Sequence, residues 1–131
     1  MNEIPPAVVK DLIALGSLDD SPSVKRDQLL ARLKPFDRVN RLGWAPWYEL
    51  ADTLSEIELR NLVRGLTIVE LELDWCGGSV AGVIWVYQRF ESRFPDKADE
   101  VANWVLARSK NPYAPFGRMR AGARSVSEFR S

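Results

Sequence analysis

Residues 55–94, SEIELRNLVRGLTIVELELDWCGGSVAGVIWVYQRFESRF, decide the fold. The stretch opens with a capping-box pattern, in which Ser55 and Glu58 can each hydrogen-bond the other's main-chain amide. Apolar residues then recur at steps of three and four as far as Leu73, which is the period of an amphipathic helix. The pattern therefore predicts a long helix over residues 55–73.

A glycine pair separates this helix from a second one. Gly77 and Gly78 are predicted to stop the first helix, because glycine readily takes the positive φ that helix ends often need. Ser79 is predicted to cap the next helix. Residues 80–87 carry no charge, which indicates a helix buried on all sides with Trp85 in the core. Their β-branched residues also suit a strand, so a strand is the alternative there.

The segments on both sides of this pair predict further helices. Proline, glycine and capping residues mark their ends. Helices are predicted over 7–15, from the turn at 19–22 to 33, over 46–54 and over 96–109, with a loop at 34–46. Short links favour antiparallel neighbours. We therefore expect an all-α single domain of about six helices packed as antiparallel helical hairpins. A helical-repeat-like stack is one arrangement open to such hairpins, although no residue-level repeat is visible.

Length and composition indicate a globular protein and argue against a membrane or secreted one. A chain of 131 residues suits one domain, and 46% apolar residues with five tryptophans indicate a globular protein. No uncharged apolar run reaches the length of about 18 residues typical of a membrane span. The first residues lack the pattern of a signal peptide. The only cysteine, Cys76, can form no internal disulfide. We expect a soluble, cytoplasmic protein with no membrane partner.

Charge is neutral overall but unevenly distributed along the chain. Residues 42–107 carry 5 Lys/Arg and 11 Asp/Glu, a net charge of −6, whereas residues 108–131 carry 6 Lys/Arg and one acid, a net charge of +5. We expect the basic, loop-rich segment 111–131 to dock on the acidic body of the same domain. Contact with an anionic partner is the alternative.

Missing residue types argue against most catalytic centres. The chain has no histidine, which excludes histidine-dependent nucleophilic catalysis and histidine metal sites. A single cysteine excludes cysteine zinc and iron–sulfur clusters. Phosphate-binding and dinucleotide-binding glycine motifs are absent. We therefore predict no cofactor, no metal and no enzymatic activity.

Glu70 and Asp74 form the best acidic pair. Four residues apart on the predicted helix, they would share a face beside the glycine pair. Such carboxylates could hold magnesium or act as acid and base. The more ordinary interpretation is a solvated helix edge or ion pairs with arginines.

Aromatic and basic residues supply the candidate binding surface. Trp44, Trp47 and Trp75 fall in or near the predicted loops and could line a groove, and tryptophan is frequent at binding hot spots. Arg118, Arg120 and Arg124 lie in the basic C-terminal segment. We predict that both groups contribute to one binding surface.

Binding is the function that these features favour. The primary prediction is a non-enzymatic protein-binding module, such as an adaptor, an inhibitor or an immunity-type protein, whose partner is another protein. The alternative is an accessory protein that binds nucleic acid through the C-terminal arginines, which lie among aromatic residues as in single-strand binders. A carboxylate enzyme using Glu70 and Asp74 is the least favoured class.

Overall fold

Seven α-helices build the fold of residues 3–130, the part of the chain that the computed structural model describes. They are α1 (Pro6–Ser17), α2 (Val24–Leu33), α3 (Trp44–Ala51), α4 (Glu56–Glu72), α5 (Gly82–Arg93), α6 (Pro95–Arg108) and α7 (Val126–Arg130). Two 3₁₀ segments, Lys34–Arg41 and Gly78–Val80, connect them. No strand occurs within residues 3–130, which confirms the all-α prediction and rules out a strand at 80–87.

Helix α4 is the central element of the domain. Its capping box is formed: Glu58 donates its main-chain amide to Ser55 Oγ over 3.2 Å, and Ser55 donates its own to Glu58 Oε1 over 3.0 Å. The apolar positions of α4 from Leu59 to Val69 are buried, and the helix contacts α1, α5 and α6. Helix α3 packs chiefly on α5. The expectation that short links make consecutive helices pack together is therefore wrong for α3 and α4.

Two glycines bring the backbones of α1 and α4 into direct contact. A Cβ atom at Gly16 would lie 1.8 Å from the main-chain oxygen of Asn61, and one at Gly65 would lie 2.1 Å from that of Leu12. No side chain fits at either site. This close crossing explains why glycine occupies two helical positions, where it is intrinsically unfavourable.

The start of α5 differs from the prediction. Helix α4 ends at Glu72, and Ser79 lies in a 3₁₀ turn instead of capping α5, whose N-cap is Ala81. Gly78 uses its positive φ of 56° in that turn. Gly82 opens α5 because the Trp47 indole lies against it, 2.7 Å from the position that a Cβ would take. The prediction of burial on all sides fails at Val80, which is 45% exposed.

The predicted loop at 34–46 is also corrected. Most of it is the 3₁₀ helix Lys34–Arg41, with Pro35 in its first turn, where a missing amide costs nothing. Helix α3 then begins at Trp44 and not at Pro46, because Gly43 takes a positive φ of 91° immediately before it.

No helix within residues 3–130 is both long and apolar enough to cross a membrane.

The close crossing of α1 and α4 predicts whether one substitution stabilises or destabilises the fold. Gly→Ala in an open helix stabilises by about 1 kcal/mol. We expect Gly65→Ala to destabilise instead, by about 2–3 kcal/mol, because its Cβ would overlap the main chain of α1. Urea denaturation measures the change. As a control, Ala31→Gly at an exposed position of α2 should lose only about 1 kcal/mol. A more stable Gly65→Ala protein would refute the close crossing.

Candidate functional site

A partly exposed group of aromatic side chains lies where α3 meets the start of α5. The ring centroids of Trp44 and Tyr48 are 5.5 Å apart, and those of Tyr48 and Trp85 are 6.2 Å apart with the planes nearly perpendicular. Trp44 is 58% exposed. The Trp85 indole donates to the main-chain oxygen of the exposed Val80 over 3.2 Å. We call Trp44, Tyr48, Trp85 and Val80 the aromatic patch.

Polar contacts hold Tyr48, the middle ring of the patch, in place. The Tyr48 hydroxyl is hydrogen-bonded to Gln88 Oε1, and the Arg89 guanidinium lies 4.5 Å from the centroid of the Tyr48 ring. Arg89 also forms an ion pair with Asp52 over 3.3 Å. The middle ring is therefore fixed on two sides before any partner arrives, which lowers the entropy cost of binding.

Only one of the three predicted surface tryptophans lies on the surface. Trp47 is fully buried and donates to the main-chain oxygen of Val39 over 3.0 Å, and Trp75 is buried as well. These two rings fill the core instead of lining a groove with Trp44. Trp85, which was predicted to be core, is partly exposed. The missed member Tyr48 follows Trp44 by four residues, a spacing that marks one helix face once α3 is known to begin at Trp44.

The C-terminal arginines bind the end of α6. Arg120 is buried and donates to the main-chain oxygens of Leu106, over 3.1 Å, and of Ser109, while Arg124 donates to that of Ala107. The last carbonyls of a helix have no partner within the helix, and a cation there also complements the helix dipole. Burial, together with nearby Arg124, lowers the pKa of Arg120.

The C-terminal segment, which we also call the tail, makes further contacts through aromatic rings and through one ion pair. The exposed Arg118 lies 4.9 Å from the centroid of the Phe129 ring, which stacks on Phe116 with centroids 4.3 Å apart. Arg130 pairs with Asp99 over 3.2 Å. Of the three arginines predicted to form one binding surface, Arg118 alone keeps an exposed guanidinium without a main-chain acceptor among the described residues.

Glu70 lies in a polar junction between three segments of the chain. Its carboxylate accepts from Asn40 Nδ2 over 3.3 Å, from the Gly77 amide over 3.3 Å and from Asn111 Nδ2 over 3.2 Å. Asn111 also donates to the main-chain oxygen of Gly78 over 3.0 Å. Glu70 therefore ties the segment after α4 to the 3₁₀ helix before α3 and to the chain after α6.

Glu70 and Asp74 do not form the predicted acidic pair. Because α4 ends at Glu72, Asp74 lies beyond the helix and is exposed, whereas Glu70 is turned into the junction. Neither carboxylate has an arginine partner within residues 3–130. The same residues contain no group of three or more carboxylate or cysteine side chains that could hold a metal ion.

Burial is the dominant influence on Glu70. It raises the pKa of the carboxyl group from 4.5 to about 7, against the opposing effect of the hydrogen bonds from Asn40, Gly77 and Asn111. All three partners are neutral donors, so no cation compensates the buried charge. Glu70 can take up a proton near neutral pH, which makes this junction sensitive to pH.

Comparison of the chain with protein-family models, with curated protein sequences and with solved structures found no match.

Arg120 and Arg118 offer a matched test of how the tail is held. Arg120→Met should cost roughly 2–4 kcal/mol, because it leaves two main-chain oxygens at the end of α6 without their charged donor. Arg118→Met removes the same charge from an exposed side chain and should change stability by less than about 0.5 kcal/mol. Urea denaturation compares them, and equal losses would show that Arg120 is not the residue that holds the tail.

The raised pKa of the Glu70 carboxyl group predicts that the stability of the fold depends on pH. A carboxyl group with a pKa of about 7 in the folded state and 4.5 in the unfolded state stabilises the fold fully below pH 4.5 and loses that contribution as the pH rises through 7. Between pH 5 and 8 we expect the wild type to lose about 2 kcal/mol of unfolding free energy relative to Glu70→Gln. Denaturation at several pH values measures this difference.

Asp74→Asn, at an exposed carboxylate close in sequence, is the control and should keep the pH profile of the wild type. A constant stability difference between wild type and Glu70→Gln from pH 5 to 8 would contradict the prediction.

Proposed function

We propose that this protein is a non-enzymatic protein-binding module, of the adaptor, inhibitor or immunity type, and that it binds another protein through the aromatic patch. The observation that supports the proposal is the exposed Trp44 ring, packed against Tyr48 beside Trp85 and Arg89. Tryptophan, tyrosine and arginine are the residues most enriched at binding hot spots.

The chemistry of the patch indicates what kind of partner surface would fit. Arg89 is already paired with Asp52, so the patch offers little unbalanced charge. The Trp44 indole N–H has no acceptor within residues 3–130. We therefore expect the partner to present apolar side chains around one oxygen acceptor for that N–H. A buried aromatic ring, surrounded by contacts that keep water out, is the usual centre of an interface of about 800 Å² per partner.

The other two classes of function have less support. The donors of Arg120 and Arg124 are engaged by the end of α6, which leaves few free cations in the tail for a nucleic-acid backbone. Glu70 accepts hydrogen bonds from two asparagine side chains, whereas Asp74 is exposed beyond the end of α4, so the two carboxylates do not share the helix face on which paired acid–base chemistry was predicted. The proposal places the protein in the cytoplasm, where an exposed thiol such as Cys76 stays reduced.

A comparison of two aromatic substitutions tests the proposal. Trp44→Ala removes the exposed ring of the patch, and Phe36→Ala removes another exposed ring, 40% accessible, from the 3₁₀ helix before α3. Partners captured from the source cell would be identified with the wild type, purified, and titrated by calorimetry. We expect Trp44→Ala to stay folded and to bind at least about 30-fold more weakly, the loss of roughly 2 kcal/mol typical of a hot spot.

Phe36→Ala should bind the purified partner as the wild type does. Equal affinity of wild type and Trp44→Ala for every purified partner would refute the assignment of the patch. Recovery that nuclease treatment abolishes would favour the nucleic-acid class instead. Trp47→Ala is uninformative for binding, because that ring is fully buried and its loss should unfold the protein.

A further inference from the structure

Four arginine side chains come from three helices, of which α4 contacts both α2 and α6. Arg26 comes from α2, Arg60 and Arg64 lie one turn apart on α4, and Arg108 comes from the last turn of α6. The guanidinium groups of Arg64 and Arg108 lie 5.2 and 4.2 Å from the centroid of the same indole ring, that of Trp104. We call these four residues the arginine cluster.

Carboxylates compensate only part of the cluster. Asp20 pairs with Arg108 over 2.9 Å, and Glu72 approaches Arg26 at 3.8 Å. Glu100, an exposed residue of α6, and Asp20 both attract the Arg64 guanidinium, although neither forms an ion pair with it. The ion pairs of the cluster therefore involve Arg26 and Arg108.

The α4 arginines lack such partners. The only acceptor for Arg60 within residues 3–130 is Asn61 Oδ1, at 3.3 Å. Arg64 makes no hydrogen bond and no ion pair in that part of the chain, and its polar neighbours include two further cations, Arg60 and Arg108. Burial and these like charges lower the pKa of Arg64. Two like charges four residues apart on a helix normally destabilise it.

Unsatisfied nitrogen atoms accompany this surplus of positive charge. Arg26 Nη1, Arg60 Nε and Arg64 Nε are buried without a hydrogen-bond partner. Such groups are uncommon in folded proteins and call for a specific explanation, of which a missing ion is one. The Nη atoms of Arg64 are neither buried in this way nor hydrogen-bonded, so they are free to donate to a ligand from solution.

We propose that Arg60 and Arg64 bind a phosphate group. Arg108 lies beside this site, and its two Nη atoms already donate to the main-chain oxygen of Trp104 over 3.1 Å and to Asp20 over 2.9 Å. Guanidinium groups present paired N–H donors that match phosphate oxygens, and a phosphate dianion would offset the like charges that Glu100 and Asp20 offset only in part. The contact with the Trp104 ring positions the Arg64 guanidinium without a ligand. This site is separate from the aromatic patch and does not depend on it.

The surroundings favour a small phosphate-bearing molecule over a nucleic-acid strand. Strand binders leave aromatic faces open for bases to stack on. The Trp104 ring is already covered by guanidinium groups, and exposed Glu100 would repel the next phosphate along a strand. The phosphate could belong to inorganic phosphate or to a phosphate monoester.

Titration of inorganic phosphate and of O-phosphoserine into the full chain by calorimetry, at constant ionic strength, tests the site. Arg64→Met removes the charge and keeps an unbranched stem against Trp104. Arg38→Met removes the same charge from an exposed position in the 3₁₀ helix before α3. We expect saturable binding by the wild type, at least tenfold weaker binding by Arg64→Met, and wild-type binding by Arg38→Met.

Thermal denaturation in chloride separates binding from folding. Arg64→Met should melt at the wild-type temperature or above, because it relieves like-charge repulsion, while phosphate should raise the melting temperature of the wild type and of Arg38→Met only. Binding of O-phosphoserine alone would support the site and identify its ligand as an ester.

Three results would overturn the proposal. The first is no saturable binding of either probe by the wild type. The second is an equal phosphate response in wild type and Arg64→Met, which would reflect the general effect of an excluded salt. The third is Arg64-dependent binding of a single-stranded RNA oligonucleotide when neither small probe binds. None of these results bears on the aromatic patch, which Trp44→Ala tests separately.

Discussion

The buried side chain of Asn40 joins both ends of the segment that separates α4 from α5. Its Nδ2 donates to the main-chain oxygen of Trp75, and its Oδ1 accepts the amide of Gly82, the first residue of α5, over 3.0 Å. A side chain 42 residues away in sequence therefore satisfies a helix N-terminus that has no side-chain cap of its own. Gly77 lies so close that a Cβ there would approach Asn40 Nδ2 to 2.8 Å. This bridge sets where α5 begins, and the position of the aromatic patch depends on that start.

The position of α5 in turn determines the aromatic patch. Trp85 is one turn into α5, and its indole returns to Val80 in the preceding 3₁₀ turn. On the opposite side of the contact, Trp47 packs beneath Gly82 and thereby fixes the rotation of α3. One face of α3 is then buried through Trp47, which leaves Trp44 and Tyr48 at the surface. The buried and exposed tryptophans of α3 are thus two consequences of the same packing.

Local patterns predicted the helices well and their long-range partners poorly. The capping box at Ser55 and the apolar period of α4 depend on neighbours within four residues, and both were predicted correctly. The start of α5 depends on Asn40, and the choice between Trp44 and Trp47 for burial depends on Gly82, so neither could be deduced from nearby residues. The acidic pair failed for a similar reason: α4 stops two residues before Asp74 once the chain turns toward Asn40.

Net charge along the chain proved a poor guide to local electrostatics. The basic C-terminal segment was expected to meet an acidic body, yet Arg120 and Arg124 bind main-chain oxygens at the end of α6, where the partial charges of unpaired carbonyls attract them. Conversely, residues 42–107 have a net charge of −6 but contain Arg60 and Arg64, which meet Arg108 with few compensating carboxylates. In the folded protein, the helix face on which a charged residue lies determines its charged neighbours, and its position in the sequence does not. Two incompletely compensated arginines, Arg60 and Arg64, therefore lie within the segment that has a net negative charge.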